Sequence, residues 1–109
     1  MNSMAFTLND LEKRVSERAT ESADVSYTRK LLDKGVAQCA KKFGEEAIET
    51  VLAATGESRE RLISETADTI YHLLVVLKAR DVSLADIEAE LASRTARSGL
   101  DEKASRKGG

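Results

Sequence analysis

Five acidic side chains stand in two short groups whose spacing suits the binding of a divalent cation. The first group contains Glu45, Glu46 and Glu49, and the second contains Glu65 and Asp68. Residues three or four apart lie on one face of a helix, and like charges at that spacing repel each other. A cation would remove this cost. Two adjacent helices that carry such acids form an open carboxylate site of the kind that Mg²⁺ prefers, with water positions left for substrate phosphates.

The same residue types also fit an ordinary solvated surface. Acidic residues make up 19 of the 109 residues, and a pattern of this kind also arises by chance in a charged helical chain. Nearby lysines either hold phosphate oxygens or form i, i+4 ion pairs with the acids. These lysines are Lys30, Lys34, Lys41 and Lys42. His72, one turn beyond Asp68, is either part of the site or a hydrogen-bonded core or interface histidine.

The elements that must position these residues are helices. The chain has no Pro and is rich in Ala, Glu, Leu, Lys and Arg, which lose little rotamer freedom in a helix. Apolar spacing and capping residues predict five helices. We expect them over about 8–19, a short stretch that ends near Gly35, 36–54, 59–79 and 84–96, with N-caps at Thr7, Ser26 or Thr28, Ser58 and Ser83. The sequence therefore predicts an all-α bundle of four to five helices.

Apolar stripes on the later helices predict how the bundle packs. Leu84, Ile87 and Leu91 mark the inner side of the last helix. The stripe on the 36–54 helix contains Val36, Ala40, Phe43, Ala47, Val51 and Ala54, and the stripe on the 59–79 helix contains Ile63, Ala67, Ile70, Leu73, Leu74 and Leu77. Between residues 70 and 77 only His72 is strongly polar, so this segment is apolar on most sides. Three short neighbouring helices cannot cover that surface, and we expect a homodimer.

Length and composition exclude several classes of protein. A chain of 109 residues with net charge −2 fits one domain over 1–109, with a core at about 7–97 and a basic tail at 98–109. The longest mostly apolar run, 70–77, is far shorter than the ~20 residues of a membrane-spanning helix. A sequence pI near 5.5 argues against a general nucleic-acid binder. The single cysteine, Cys39, and the N-terminal sequence favour the cytoplasm.

Four segments together resemble a known family. They are Ser26-Tyr27-Thr28, then 42–49 (KFGEEAIE), then 65–68 (ETAD) with 71–75 (YHLLV), and finally 98–106 (SGLDEKASR). The chain resembles the phosphoribosyl-ATP pyrophosphohydrolases of histidine biosynthesis, from about residue 8 to residue 106. The acidic segments are shared with the wider MazG-like all-α nucleotide pyrophosphohydrolases. The first and last segments distinguish this family from them.

The resemblance implies hydrolysis of phosphoribosyl-ATP to phosphoribosyl-AMP and pyrophosphate, the second step of histidine biosynthesis. It implies a catalytic acidic set, with Mg²⁺ or in its place Mn²⁺ held by four of the acids and Glu45 as a further ligand or a supporting acid. The implied metal ligands are Glu46, Glu49, Glu65 and Asp68. The residues expected to bind substrate are Ser26, Tyr27, Thr28, Lys30, Lys34, Lys42, His72, Lys103, Ser105 and Arg106.

Two other functions remain compatible with the acidic spacing. A house-cleaning nucleoside triphosphate pyrophosphohydrolase would share the metal chemistry but have a different base and sugar pocket. A non-catalytic helical dimerisation module would use its acids only to keep the surface solvated. The segments at 26–28 and 98–106 argue against the first alternative. Release of pyrophosphate would argue against the second.

Overall fold

The computed structural model describes residues 5–96, which form five α-helices and no strand. The helices are α1 (Leu8–Arg18), α2 (Tyr27–Asp33), α3 (Val36–Gly56), α4 (Arg59–Ala79) and α5 (Leu84–Thr95). The all-α prediction is confirmed, and the observed helix ends lie close to the expected ones, within the usual fraying of helix termini. No helix in the described part of the chain has the length and hydropathy needed to cross a bilayer.

Capping side chains set where the helices begin. Thr7 and Ser83 form capping boxes with the aspartates three residues later, and Ser58 accepts a hydrogen bond from the Arg61 amide. Of the two candidates for α2, Ser26 is the cap. Each such cap stabilises its helix by about 1 kcal/mol. Between α2 and α3 the backbone turns through Gly35 at φ 96°, a conformation that strongly favours glycine.

A small apolar core joins the first four helices, and α5 adds one residue to it. The core is formed by Val15, Leu31, Cys39, Leu74, Val75 and Leu84. The Leu84 amide donates a hydrogen bond to the Glu12 carboxylate at 2.7 Å, which fastens the start of α5 to α1. The later residues predicted for the inner side of α5 are exposed in the single chain, with Ile87 at 37% and Leu91 at 53%.

The long helices α3 and α4 form an antiparallel pair, connected by Glu57 and Ser58. The prediction that the apolar stripe of α3 provides its buried face is wrong for the single chain. Val36 and Val51 are exposed, while the fully buried residues of α3 are Cys39 and Ala53. The reason is geometric, because α4 covers the face of α3 that carries small and polar residues, and this face is rotated away from the predicted stripe.

The stripe predicted for α4 is also only partly buried. Leu74 lies in the core, but Ile63 is 53% exposed and Leu73 is 37% exposed. The buried residues of α4 include Glu65 and His72 instead. The face between α3 and α4 is therefore the one that carries the candidate chemistry.

Candidate active site

Three carboxylates from two helices meet at one place. Glu46 comes from α3, and Glu65 and Asp68 come from adjacent turns of α4. Each of the three offers an oxygen that lies within 4.8 Å of the oxygens offered by the other two. Their environments differ, since Glu65 is buried, Glu46 is half-buried and Asp68 is exposed. The cluster therefore reaches from the interface between the helices out to solvent.

Two cationic side chains compensate the charge of the two glutamates. The Lys42 ammonium lies 3.4 Å from the Glu46 carboxylate, and the Arg61 guanidinium lies 2.6 Å from that of Glu65. The hydrogen bond to Glu46 raises the pKa of Lys42, so this lysine carries its charge at neutral pH. Arg61 also pairs with Glu57 at 3.1 Å. Both cations are partly exposed, whereas the two glutamate side chains are largely buried.

A threonine hydroxyl ties the two helices together at the level of the acids. The Thr69 Oγ1 lies 2.9 Å from the carbonyl oxygen of Glu46 and 2.9 Å from that of Glu65. It also makes a 2.7 Å hydrogen bond with the Thr50 hydroxyl across the pair. Because the two carbonyls belong to two of the clustered acids, Thr69 fixes the distance between the backbones that carry them.

An aromatic group borders the carboxylates. The ring of His72 packs edge-on against the rings of Tyr71, at 4.9 Å, and Tyr27, at 6.2 Å. Burial lowers the pKa of the His72 imidazole, and the negative charge of Glu46 partly opposes this shift. His72 is therefore a buried ring that contacts Tyr27 of α2 and Tyr71 of α4, and its part in the site stays a prediction.

Two residues expected to bind substrate use their hydroxyls inside the protein. Ser26 donates to the Arg18 carbonyl at 2.8 Å and accepts from the Arg29 amide at 3.0 Å. Thr28 is buried and forms a 2.5 Å hydrogen bond with the Tyr71 hydroxyl. Tyr27, between them, is 53% exposed. Of this segment, the structure leaves the Tyr27 side chain most available to a ligand.

The remaining predicted residues lie outside the three-carboxylate group or outside the described part of the chain. Glu45 and Glu49 are exposed on α3, and neither belongs to the three-carboxylate group. Lys30 and Lys34 are exposed on and just after α2. The last three predicted residues, Lys103, Ser105 and Arg106, lie outside the residues that the structure describes.

Sequence reasoning missed two contributions to the site. Arg61 stands four residues before Glu65, so its ion pair could have been found from helical spacing. The contact between Thr50 and Thr69 has no such signal, because it joins residues on different helices and depends on the rotation of α3 against α4.

The chemistry of the three donors fits a hard divalent cation. Carboxylate oxygens are the protein ligands that Mg²⁺ and Mn²⁺ accept, and a three-carboxylate set that opens to solvent leaves coordination positions for water and phosphate. Glu46, Glu65 and Asp68 are the residues that would hold it. The fold and the site thus define an all-α protein with a carboxylate centre of the type used in metal-assisted phosphate chemistry.

Comparison with known proteins identifies the family within this class. Residues 8–95 match the family described as phosphoribosyl-ATP pyrophosphohydrolase. The chain is 60% identical over 102 residues to "Phosphoribosyl-ATP pyrophosphatase 1" of Rhodopseudomonas palustris, covering 94% of this chain and 95% of the relative. It is 56% identical over 106 residues to "Phosphoribosyl-ATP pyrophosphatase" of Azorhizobium caulinodans, covering 97% of both. The chain belongs to the phosphoribosyl-ATP pyrophosphohydrolase family, as the four sequence segments predicted.

Proposed function

We propose that this protein hydrolyses phosphoribosyl-ATP to phosphoribosyl-AMP and pyrophosphate, the second step of histidine biosynthesis. The observation that carries the proposal is the meeting of Glu46, Glu65 and Asp68 between α3 and α4 in a chain of this family. Water adds its oxygen to one phosphorus of the α–β anhydride, the bridging oxygen leaves with the other phosphate, and a proton passes to a carboxylate or to solvent. Two products form, and no other reactant is consumed.

The three carboxylates are the proposed ligands of Mg²⁺, for which Mn²⁺ is a substitute. When bound, the cation neutralises charge on the polyphosphate and lowers the pKa of an attacking water. Glu49 was predicted as a fourth ligand, and it stays a prediction because it lies on α3 outside the group. Glu45 likewise remains a predicted supporting acid. Lys42, which pairs with Glu46 at 3.4 Å, is the proposed contact for phosphate oxygens.

A homodimer is the second part of the proposal. Several large apolar side chains are exposed on the sides of α3 and α4 that face away from the carboxylates. They are Ile48 at 61%, Val51 at 59%, Leu52 at 51% and Ile63 at 53%. Obligate homodimers bury about 2,000 Å² or more with an apolar centre, and exposed apolar side chains of this size often mark an interaction surface. Location in the cytoplasm stays a prediction from the sequence.

A substrate comparison tests the proposed reaction. Pyrophosphate release is measured with Mg²⁺ from phosphoribosyl-ATP, ATP and deoxynucleoside triphosphates. The proposal expects the highest kcat/KM for phosphoribosyl-ATP. A higher value for a deoxynucleoside triphosphate would instead indicate the house-cleaning function, and no release from any substrate would indicate a non-catalytic module.

The exposed Tyr27 of the 26–28 segment and the tail segment 98–106 are proposed to contribute to selectivity for phosphoribosyl-ATP, which carries a second ribose 5-phosphate. A chain truncated after Ser98 should lose more kcat/KM with phosphoribosyl-ATP than with ATP, because only the former carries that phosphate. Equal losses with both substrates would make the tail structural. No loss with either would exclude it from substrate binding.

A further inference from the structure

A groove between α1, α2 and α4 lies next to the candidate active site but contains none of its carboxylates. Its volume is about 360 Å³, and its walls include Arg14 and Arg18 of α1 and the rings of Tyr27 and Tyr71. Small-molecule sites range upward from about 300 Å³, so the groove is large enough for a phosphorylated pentose. Apolar side chains, such as Leu11 and Val25, complete the walls.

Tyr27 connects this groove to the carboxylates. Its ring forms part of the groove wall and also packs edge-on against His72, with ring centres 6.2 Å apart. The imidazole of His72 in turn lies close enough to Glu46 for that carboxylate to influence it. The groove therefore neighbours the acidic cluster through the Tyr27 and His72 rings.

The charge of the groove is opposite to that of the cluster. The carboxylates attract a cation, whereas the groove is lined by two arginines and no acidic residue. Arg14 pairs with Glu17 at 3.7 Å and Arg18 with Glu21 at 3.2 Å, and both arginine side chains are about half exposed. Exposed ion pairs of this kind contribute little, so each guanidinium can exchange its carboxylate for a phosphate. A guanidinium also offers two parallel donors that match phosphate oxygens.

The serine and threonine hydroxyls in the same wall are not available for that task. Ser26 and Thr28 line the groove, yet Ser26 bonds to the backbone of Arg18 and Arg29 and Thr28 bonds to Tyr71. An anion that entered the groove would find its donors on α1 instead.

We propose that Arg14 and Arg18 bind the ribose 5-phosphate end of the substrate in this groove, while the triphosphate end lies at the carboxylates. The inference rests on the proposed function, since it uses phosphoribosyl-ATP as the substrate. It assigns the extra anion site to α1, a helix that the sequence motifs did not include. The 5-phosphate is the group that ATP lacks, so these arginines are specificity-determining residues.

The test compares two substrates in the full-length protein with Mg²⁺. We expect Arg14→Gln combined with Arg18→Gln to lower kcat/KM for phosphoribosyl-ATP at least about tenfold. The loss with ATP should be less than about twofold. Ribose 5-phosphate should inhibit the parent competitively and the double variant more weakly. The matched control is Arg94→Gln, because Arg94 is an equally exposed arginine in an i, i−4 ion pair on α5 and should leave both substrates unaffected.

Conservative variants distinguish a loss of phosphate binding from a folding defect. Arg14→Lys with Arg18→Lys retains both charges but removes the paired donors, and should give an intermediate loss with phosphoribosyl-ATP only. Equal losses on both substrates, or wild-type kinetics in the glutamine double variant, would overturn the inference while leaving the proposed reaction intact. A parent protein that releases no pyrophosphate from phosphoribosyl-ATP would overturn the proposed function itself.

Discussion

The two sides of the α3–α4 pair have opposite character. On the inner side, Glu46, Glu65 and Thr69 lie between the helices, with a hydroxyl bridge and two ion pairs around them. On the outer side, Ile48 and Val51 are about 60% exposed. A monomeric helical protein normally has the reverse arrangement, with its apolar stripe inside and its charges outside.

We expect this inversion to separate chemistry from assembly on the same two helices. Burying carboxylates costs free energy unless they are paired or bind a metal, and leaving large apolar side chains in water forgoes the hydrophobic contribution of their burial. Both costs are relieved if the inner side holds a cation and the outer side meets a second copy. The comparison therefore predicts that changes on the inner side abolish activity, whereas changes on the outer side alter assembly.

The largest effect is expected from the inner carboxylates. Asp68→Asn and Glu65→Gln each keep the shape of the side chain but remove a charge from the group of three, so activity should fall by orders of magnitude. In the absence of metal, Asp68→Asn should unfold at the same temperature as the parent or higher, because carboxylate repulsion is relieved. Pyrophosphate release and thermal unfolding in a chelator measure the two quantities.

Glu49→Gln is the matched control for those variants. It changes the same chemical group on the same pair of helices, but Glu49 is exposed and outside the three-carboxylate group. We expect it to lose much less activity than Glu65→Gln. An equal loss would show that Glu49 joins the ligands after a change of side-chain rotamer, as the family resemblance implies.

On the outer side, a charge should disrupt assembly. Val51→Asp places a carboxylate on the apolar side of α3, where a second copy would have to desolvate it. Sedimentation equilibrium at micromolar concentration should show a dimer for the parent and a monomer for the variant. Gln38→Asp adds the same charge at an exposed polar position of α3 and should stay dimeric. A monomeric parent would refute the dimer proposal.

A smaller effect, on metal affinity, is expected at the Thr69 hydroxyl, which joins α3 and α4 on the inner side. Thr69→Val removes the contacts to the Glu46 and Glu65 carbonyls while keeping a β-branched side chain. Substitution of a residue that orients metal ligands typically lowers metal affinity about tenfold or more. The Kd for Mn²⁺ should therefore rise about tenfold. Thr69→Ser should retain the affinity. Thr55→Val, a similar change at a hydroxyl that bonds only within α3, should have no effect.

The smallest effect is expected on the free energy of unfolding, at the α5 capping box, which belongs to neither side of the α3–α4 pair. The hydrogen bond from the Ser83 amide lowers the pKa of Asp86 below its ordinary value of 3.8. A carboxylate whose pKa is lower in the folded protein stabilises the fold at pH values above its pKa in the unfolded chain. This contribution is lost as the pH falls through the pKa of the folded state. The difference in unfolding free energy between the parent and Asp86→Asn should therefore shrink below about pH 4. A difference that is independent of pH would exclude this contribution.

Local signals explain why the helices could be predicted from the sequence. Thr7, Ser58 and Ser83 act as caps through hydrogen bonds within their own first turns, so each cap needs only a few consecutive residues. Glu65 and Asp68 are likewise brought together by helical spacing alone.

The rotation of α3 against α4 could not be predicted from helix caps or from spacing within one helix. The apolar stripe of α3 suggested a buried side at Val51, but the side that packs on α4 carries Cys39, Glu46 and Ala53. Apolar periodicity reports which side avoids water in the assembled protein. It does not distinguish burial within one chain from burial against a second copy. The groove at Arg14 and Arg18 was missed for a similar reason, since it forms only when α1, α2 and α4 meet.

A Mn²⁺ titration measures the carboxylate site itself, because it does not depend on any substrate. Free Mn²⁺ is followed by electron paramagnetic resonance as the parent, Glu65→Gln, Asp68→Asn and the exposed control Glu60→Gln are added. We expect saturable binding by the parent and by Glu60→Gln, and a large loss of affinity in both inner-side variants. Equal binding by all four proteins, or no binding by the parent, would contradict a metal site at Glu46, Glu65 and Asp68.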